Sequence, residues 1–508
     1  MLNTIRALLI GTEDWNEYYD VPSYVQLECS ELYDEPSKTL YDIVFIDRPL
    51  YEEEIKPLSK VTKTYTLFLT DNARSDMISK SYFASKKAKS LAIADIQSFL
   101  SNEARNYYDK PYGEKFRNNT LTVAQGFTGS VSIDGYYGMT MEGDFGDEFC
   151  QAAYWRKNIP IFEGQALDLW LEYKKDPTVE IELHITQFVG GSLSDEQQSW
   201  VFTEDDMKDI VIVDNQKLQG PVFASVRAKG KGKLQIIALH DRHSRRGHGL
   251  FMPGGERFVS SDREEIFYYF DPGDMRPPLN VYFSGYKTLQ GFEGYYMMRS
   301  MGCPFLLIAE PRLEGGCFYM GSDEYEQGYV DIIHRYMDEL GFTSDQVIMA
   351  GLSMGTFGAM YYGCDIRPHA ILLGKPLASI GDVAANERLH RPGGFPTSLD
   401  VLAYIAGGTD RQAIDRLNGR FWDKFDVTDW GKTKFVVSYM IEDDYDSTSY
   451  GQLISHVQDE GVQVYGKGIH GRHNDATSPI VTWFKNQYDK ILTGDFGRKR
   501  DNINKNKK

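Results

Sequence analysis

Short apolar runs alternate with polar segments along the first hundred residues. Runs at 6–10, 24–27, 42–46 and 64–70 predict strands, and 71–83 and 94–104 predict helices or their flanks. The alternation predicts a small N-terminal α/β module over 1–112, and no loop in it carries a GxGxxG phosphate fingerprint. From 113 to 270 the period drops to two. Leu167-Asp168-Leu169-Trp170-Leu171 and runs at 179–185 and 234–239, parted by Gly-, Asp- and Ser-rich turns, predict a β-sandwich-like domain. The α/β texture returns at 271–497, with strands expected at 280–284, 305–309, 346–350, 369–373, 434–440 and 462–465. A helix at 323–340 would carry Tyr325, Tyr329, Ile332, Ile333 and Tyr336 on one face, and a closing helix is expected at 480–492. Buried strands between helices imply a mostly parallel sheet.

The length, 508 residues, allows about three domains. Seventy-three acidic against 55 basic side chains give a net charge of −18, so the average field repels phosphate and no nucleic-acid partner is expected. The exception is 498–508, with six basic residues and one Asp, which predicts a disordered basic tail. Five scattered cysteines without a CxxC pair predict neither a disulfide framework nor a thiolate zinc site, and a reducing cytoplasm is the expected home. No stretch approaches the roughly 18 apolar residues of a transmembrane helix. Aromatics favour Tyr, 33 against 7 Trp. Trp155, Trp170, Trp200 and Tyr173 could stack on a sugar, but sandwich core is the better expectation for them. His240, His243 and His248 invite a metal proposal. Arg242, Arg245 and Arg246 crowd the same segment with positive charge, so a solvated or partner-contacting loop is expected there, with no metal and no cofactor.

The chemistry concentrates in the last segment. Gly351-Leu352-Ser353-Met354-Gly355 matches the nucleophile elbow G-x-S-x-G, in which a strand turns sharply into a helix and glycines remove side chains that would clash. The apolar run before it and the small-residue segment after it supply the required strand and helix. This setting predicts an α/β-hydrolase-like C-terminal domain, so the fold class is α/β, with the β-sandwich-like domain between that domain and the small N-terminal α/β module. Such triads run Ser, acid, His. The strand at 434–440 ends in Glu442-Asp443-Asp444, with Asp443 favoured by its distance from the strand end, Glu442 next and Asp444 third. His473 and His470 follow the last strand, and His473 is preferred because His470 sits in a tight Gly-Ile-His-Gly turn. Ser353 would attack an acyl carbonyl, His473 would take its proton, and the carboxylate would orient the imidazole. The oxyanion donors would be the backbone N–H groups of Met354 and Tyr286, with Lys287 read as a surface lysine.

Met349 to Gly358, Tyr439 to Asp446 and Lys467 to Asp475 resemble the accessory Sec system proteins of streptococci and staphylococci that act with glycosylated serine-rich-repeat adhesins. The resemblance runs over essentially the whole chain, and the elbow and histidine loop are its specific parts. It implies O-acetylation of N-acetylglucosamine on the adhesin before export, from a donor that the sequence does not identify. It also implies a cytoplasmic complex with two other accessory secretory proteins, near a dedicated Sec motor ATPase at the translocon. Ser353 would then carry the acetyl group, His473 would be the base, and one of 442–444 the third member. An esterase or deacetylase with the same triad, or a noncatalytic export scaffold, are the alternative readings.

Overall fold

In the strand Ile5–Ile10, alternate residues serve opposite faces. Ile5, Ala7 and Leu9 join one buried cluster while Leu8 and Ile10 join another. Ile43–Ile46 divides in the same way, with Phe45 on one side and Val44 and Ile46 on the other. The result is a five-stranded parallel sheet in the order Val25–Ser30, Ile5–Ile10, Ile43–Ile46, Leu67–Leu69, Lys89–Ser90, the order of one doubly wound family. In this computed structural model the described residues are 4–498 except 34–39, 75, 108–112, 162–163, 190–191, 193–194, 216–219, 247–248, 251–253, 390–391 and 459–460.

The β-rich segment differs from two separate stacked sheets. Ten strands are hydrogen-bonded as one connected sheet, because Gly138–Trp155 and Gly220–His243 are long enough to serve several neighbours each. Gly220–His243 pairs first with Val179–Phe188 and then with Gln165–Lys175, and its register against Gly138–Trp155 shifts near Gly230. There Gly230 has φ +93°, and a Cβ would lie 2.1 Å from the Thr178 carbonyl oxygen, so glycine is required. Val222, Ala224, Val226, Ala228, Leu234 and Ile236 alternate inward around one core with Trp155. Trp170 is likewise buried, and Trp200 and Tyr173 pack at the edge of that core.

The histidine segment is not a solvated loop, at least as far as it is described. His240 and Arg242 are fully buried within Gly220–His243. His240 hydrogen-bonds through Nε2 to Glu172 at 2.8 Å and through Nδ1 to Gln290 at 2.7 Å, and Gln290 also accepts from Arg242 Nε. Both imidazole nitrogens are thus engaged, and the Arg242 guanidinium has a buried amide oxygen as one partner. His248 lies outside the described residues.

The chain divides into two compact units, Met1–Arg257 with Thr288–Gly291, and Phe258–Lys287 with Phe292–Lys508. The second contains most of an eight-stranded sheet in the order Glu256–Val259, Glu265–Asp271, Phe305–Ala309, Leu279–Phe283, Val347–Leu352, Ala370–Gly374, Lys434–Met440, Gln463–Ile469. Its first two strands end by residue 271, where the sequence pattern places the start of the last domain. Glu265–Asp271 runs antiparallel to Phe305–Ala309, which gave it the texture of the β-rich segment. The pairings from Phe305–Ala309 onward are all parallel. The helix Asp323–Leu340 buries the expected Tyr325, Tyr329, Ile332, Ile333 and Tyr336, so much of the tyrosine excess is core. Arg498 is anchored, donating to the Arg276 and Pro277 carbonyls and pairing with Asp274 at 2.7 Å; the rest of the expected basic tail lies outside the described residues. Among the described residues, no helix is long and apolar enough to cross a membrane.

Candidate active site

Val347–Leu352 lies between Leu279–Phe283 and Ala370–Gly374, and the helix Met354–Tyr361 starts one residue after it. Ser353 occupies that one residue, at φ +52° and ψ −122°, a strained conformation for a side-chain-bearing residue. The flanking glycines explain how the turn closes. A Cβ on Gly351 would meet the Gly355 carbonyl carbon and oxygen at 2.2 Å, and one on Gly355 would lie 2.1 Å from Phe283 O.

The strained turn presents Ser353 to His473. Ser353 Oγ is 2.8 Å from His473 Nε2, and His473 Nδ1 is 2.9 Å from Asp443 Oδ2. His473 and Asp443 are buried. Burial pushes the Asp443 carboxyl up, but His473 and the amides of Tyr445 and Asp446 together hold it below the usual carboxylate range. Those amides donate to Asp443 Oδ1 at 2.9 and 3.2 Å, so both carboxylate oxygens are committed.

The neighbouring acids have other partners. Glu442 does not reach His473; it accepts from the Gly471 amide at 2.6 Å and pairs with exposed His470 at 2.9 Å. Asp444 accepts the backbone N–H of His473 at 2.9 Å. Asp446 accepts the amides of Ala378 and Ser379, both at 2.9 Å, while burial keeps its carboxyl raised. Asp443 thus takes the imidazole, Glu442 and Asp444 hold amides of the histidine loop, and the structure brings together Ser353, His473 and Asp443.

Met354 supplies the first amide of the elbow helix. The loop bearing Tyr286 lies against the same turn, since a Cβ on Gly285 would be 3.1 Å from Leu352 O. The Gly285 N–H is taken by Glu293 Oε2 at 2.6 Å, and Glu293 N–H donates to Ser284 Oγ at 3.0 Å. Lys287 is half-buried rather than a free surface lysine, and its ammonium donates to Phe292 O at 3.2 Å while burial lowers its pKa.

Three supports escaped the sequence reading. Lys375, at φ +58°, donates through Nζ to Asp475 O at 2.8 Å and Thr477 Oγ1 at 3.2 Å, tying the histidine loop to a strand end. Arg312 is buried between Glu264 at 2.6 Å and Glu310 at 2.8 Å, with Tyr325 under its guanidinium. Glu310 also accepts the amides of Cys317 and Tyr319, which shapes the 310–320 segment beside Met354 and Tyr286. Tyr445 stacks on the His473 ring. The lysine follows a strand with no local motif, and the arginine joins Glu310, two positions away, to Glu264, 48 positions away, so only aromatic content near the acids offered a signal.

The profile of a family described as accessory Sec system GspB-transporter matches residues 5–498. An accessory Sec system protein of Streptococcus gordonii is 36% identical over 511 residues, covering 98% of this chain and 100% of that protein. One from Staphylococcus aureus is 37% identical over 464 residues, covering 90% of this chain and 88% of that protein. A chain in the structure of the Glycosylation Associate Protein (Gap123) complex from Streptococcus agalactiae is 34% identical, with a TM-score of 0.86, covering 97% of this chain and 99% of that one.

Proposed function

The chain belongs to the accessory Sec system GspB-transporter family, and from that premise we propose that it is a serine-dependent O-acetyltransferase within an accessory Sec export complex. Its acceptor is N-acetylglucosamine on a glycosylated serine-rich-repeat adhesin. The observation that carries the catalytic part is the continuous relay from Ser353 Oγ through His473 to Asp443. Nδ1 donates to a carboxylate, so Nε2 is left as the acceptor facing the serine proton. Ser353 attacks the acyl carbonyl of the donor, and His473 takes its proton and returns one to the leaving group. The amides of Met354 and Tyr286 are the donors assigned to the oxyanion.

The partner assignment rests on family membership and on the Streptococcus agalactiae relative, whose structure is that of a complex. Two other accessory secretory proteins would be its companions in the cytoplasm, with the Sec motor ATPase nearby at the membrane translocon. The test is a chromogenic acetyl ester supplied with and without an N-acetylglucosaminide, together with mass spectrometry of the adhesin glycan. Ester consumption and acceptor acetylation both vanish in Ser353→Ala if the reading holds. An unchanged glycan with export lost in that variant would leave only the scaffold role.

A further inference from the structure

An acyl-enzyme in contact with water is hydrolysed unless something favours another acceptor, so a transferase needs a feature that an esterase with the same triad lacks. One face of His473 is covered by Tyr445, with ring centroids 4.4 Å apart and planes 17° from parallel. Phe395 lies near-parallel to Tyr445 at 5.5 Å and 19°. Tyr286 meets Phe395 edge-on at 5.4 Å and 75°. The row thus runs from the imidazole to the loop that holds the second oxyanion donor, and it is drawn from three separate segments.

Tyr445 and Phe395 are held by hydrogen bonds. The Tyr445 hydroxyl donates to Gly394 O at 2.8 Å and accepts from Asn474 Nδ2 at 3.0 Å. The Phe395 amide donates to Glu387 Oε2 at 2.7 Å. Phe395 is 8% exposed and His473 2%, whereas Tyr286, at the far end, is 37% exposed. Phe395, buried, and Tyr445, half-buried, offer a water molecule no partner on their faces, and exposed Tyr286 offers an apolar surface to an incoming ring.

We infer that Tyr286, Phe395 and Tyr445 form the acceptor wall of the site and determine transfer to a sugar over hydrolysis. The inference rests on the acyltransferase reading and adds the determinant of its outcome. A pyranose presents an apolar C–H face, which suits Tyr286 and brings a ring hydroxyl toward His473. In the transfer step the hydroxyl oxygen bonds to the acyl carbon while His473 takes its proton. The bond from Ser353 Oγ to the acyl carbon then breaks, and Ser353 receives that proton. With water in place of the hydroxyl, the same bonds change and the free acid leaves.

The full chain is supplied with an aryl acetate and a methyl N-acetylglucosaminide, and acetylated sugar and acetate are quantified in the same reaction. The ratio of the two should fall at least tenfold in Phe395→Ala and in Tyr286→Ala, with the acceptor KM raised in the latter. Phe395→Tyr should restore it. Tyr286 is at the surface, so its variant keeps the test valid if Phe395→Ala fails to fold. A ratio within twofold of the original in Tyr286→Ala, with ester still consumed and sugar still acetylated, overturns the inference alone. Ester consumption no greater than that of Ser353→Ala, or ester hydrolysis by the original protein with no sugar acetylated, would instead overturn the acyltransferase reading, and this inference with it.

Discussion

Replacing Asp443 by Asn changes no volume and removes one charge, yet its hydrogen-bond surroundings dictate a large effect. Asp443 Oδ1 receives the amides of Tyr445 and Asp446, and Oδ2 receives His473 Nδ1. Two fixed donors require an acceptor at the first position, so the Asn side chain must place its carbonyl oxygen there. Its NH2 then faces His473 Nδ1 and donates to it. That forces the ring proton onto Nε2, the nitrogen that must accept from Ser353 Oγ at 2.8 Å. The base is lost through its tautomer while the packing stays intact. The corresponding change in a serine protease triad costs about 10⁴-fold, and a loss of about 10³–10⁴-fold in kcat, or ~4–5.5 kcal/mol of barrier, is expected here. Aryl acetate turnover and the rate of labelling by a serine-directed phosphonate measure it, with near-UV circular dichroism to show retained packing. Glu442→Gln, whose side chain meets His470 and Gly471 instead, should remain within about threefold on the same scale. A folded Asp443→Asn protein within tenfold of the original, or an equal loss in Glu442→Gln, would refute the assignment.

Gly355→Ala puts a Cβ 2.1 Å from the Phe283 carbonyl oxygen, so the elbow must shift; phosphonate labelling of Ser353 should be lost and stability should drop by about 1–3 kcal/mol in denaturant titration. Unaltered labelling would contradict the tight turn. Arg312→Ala leaves Glu264 and Glu310 buried without their common cation, for which a loss of about 3–5 kcal/mol is expected by chemical denaturation. A loss below 1 kcal/mol would mean that water reaches the pair. Burial, with Glu114 nearby, pushes the Asp241 carboxyl up to about 7, whereas an unfolded Asp titrates near 3.9. The folded chain therefore keeps a proton that the unfolded chain has released, and this contribution to stability falls as pH rises from about 4 to about 7. Asp241→Asn should raise the melting temperature more at pH 8 than at pH 5; equal gains at both would refute the raised titration.

Much of the second unit was legible because the information is local. The elbow spans five residues, its strand and helix are adjacent, and the buried face of Asp323–Leu340 recurs with helical period. The β-rich segment was legible as strands but not as one connected sheet. Its long strands pair with several partners each, and the bend near Gly230 depends on a carbonyl from Thr178, 52 positions earlier. Glu265–Asp271 carried no sign of its sheet, because an antiparallel strand at the start of a parallel sheet reads like its neighbours upstream.

The sequence by itself determined that a serine would stand at a strand-to-helix elbow and that acids and histidines would follow in the order a triad needs. It did not decide among Glu442, Asp443 and Asp444, nor between His470 and His473. Adjacent residues on a turn point in different directions, and their roles depend on which amides and side chains meet them. Asp443 meets His473 across 30 positions and His473 meets Ser353 across 120. The same holds for His240 and Arg242, which a charged sequence context made look solvated and which Glu172 and Gln290 bury. Tertiary structure decided these points because a side chain's partner is set by the packing of distant segments, while strand, helix and turn are set largely by neighbours in the chain.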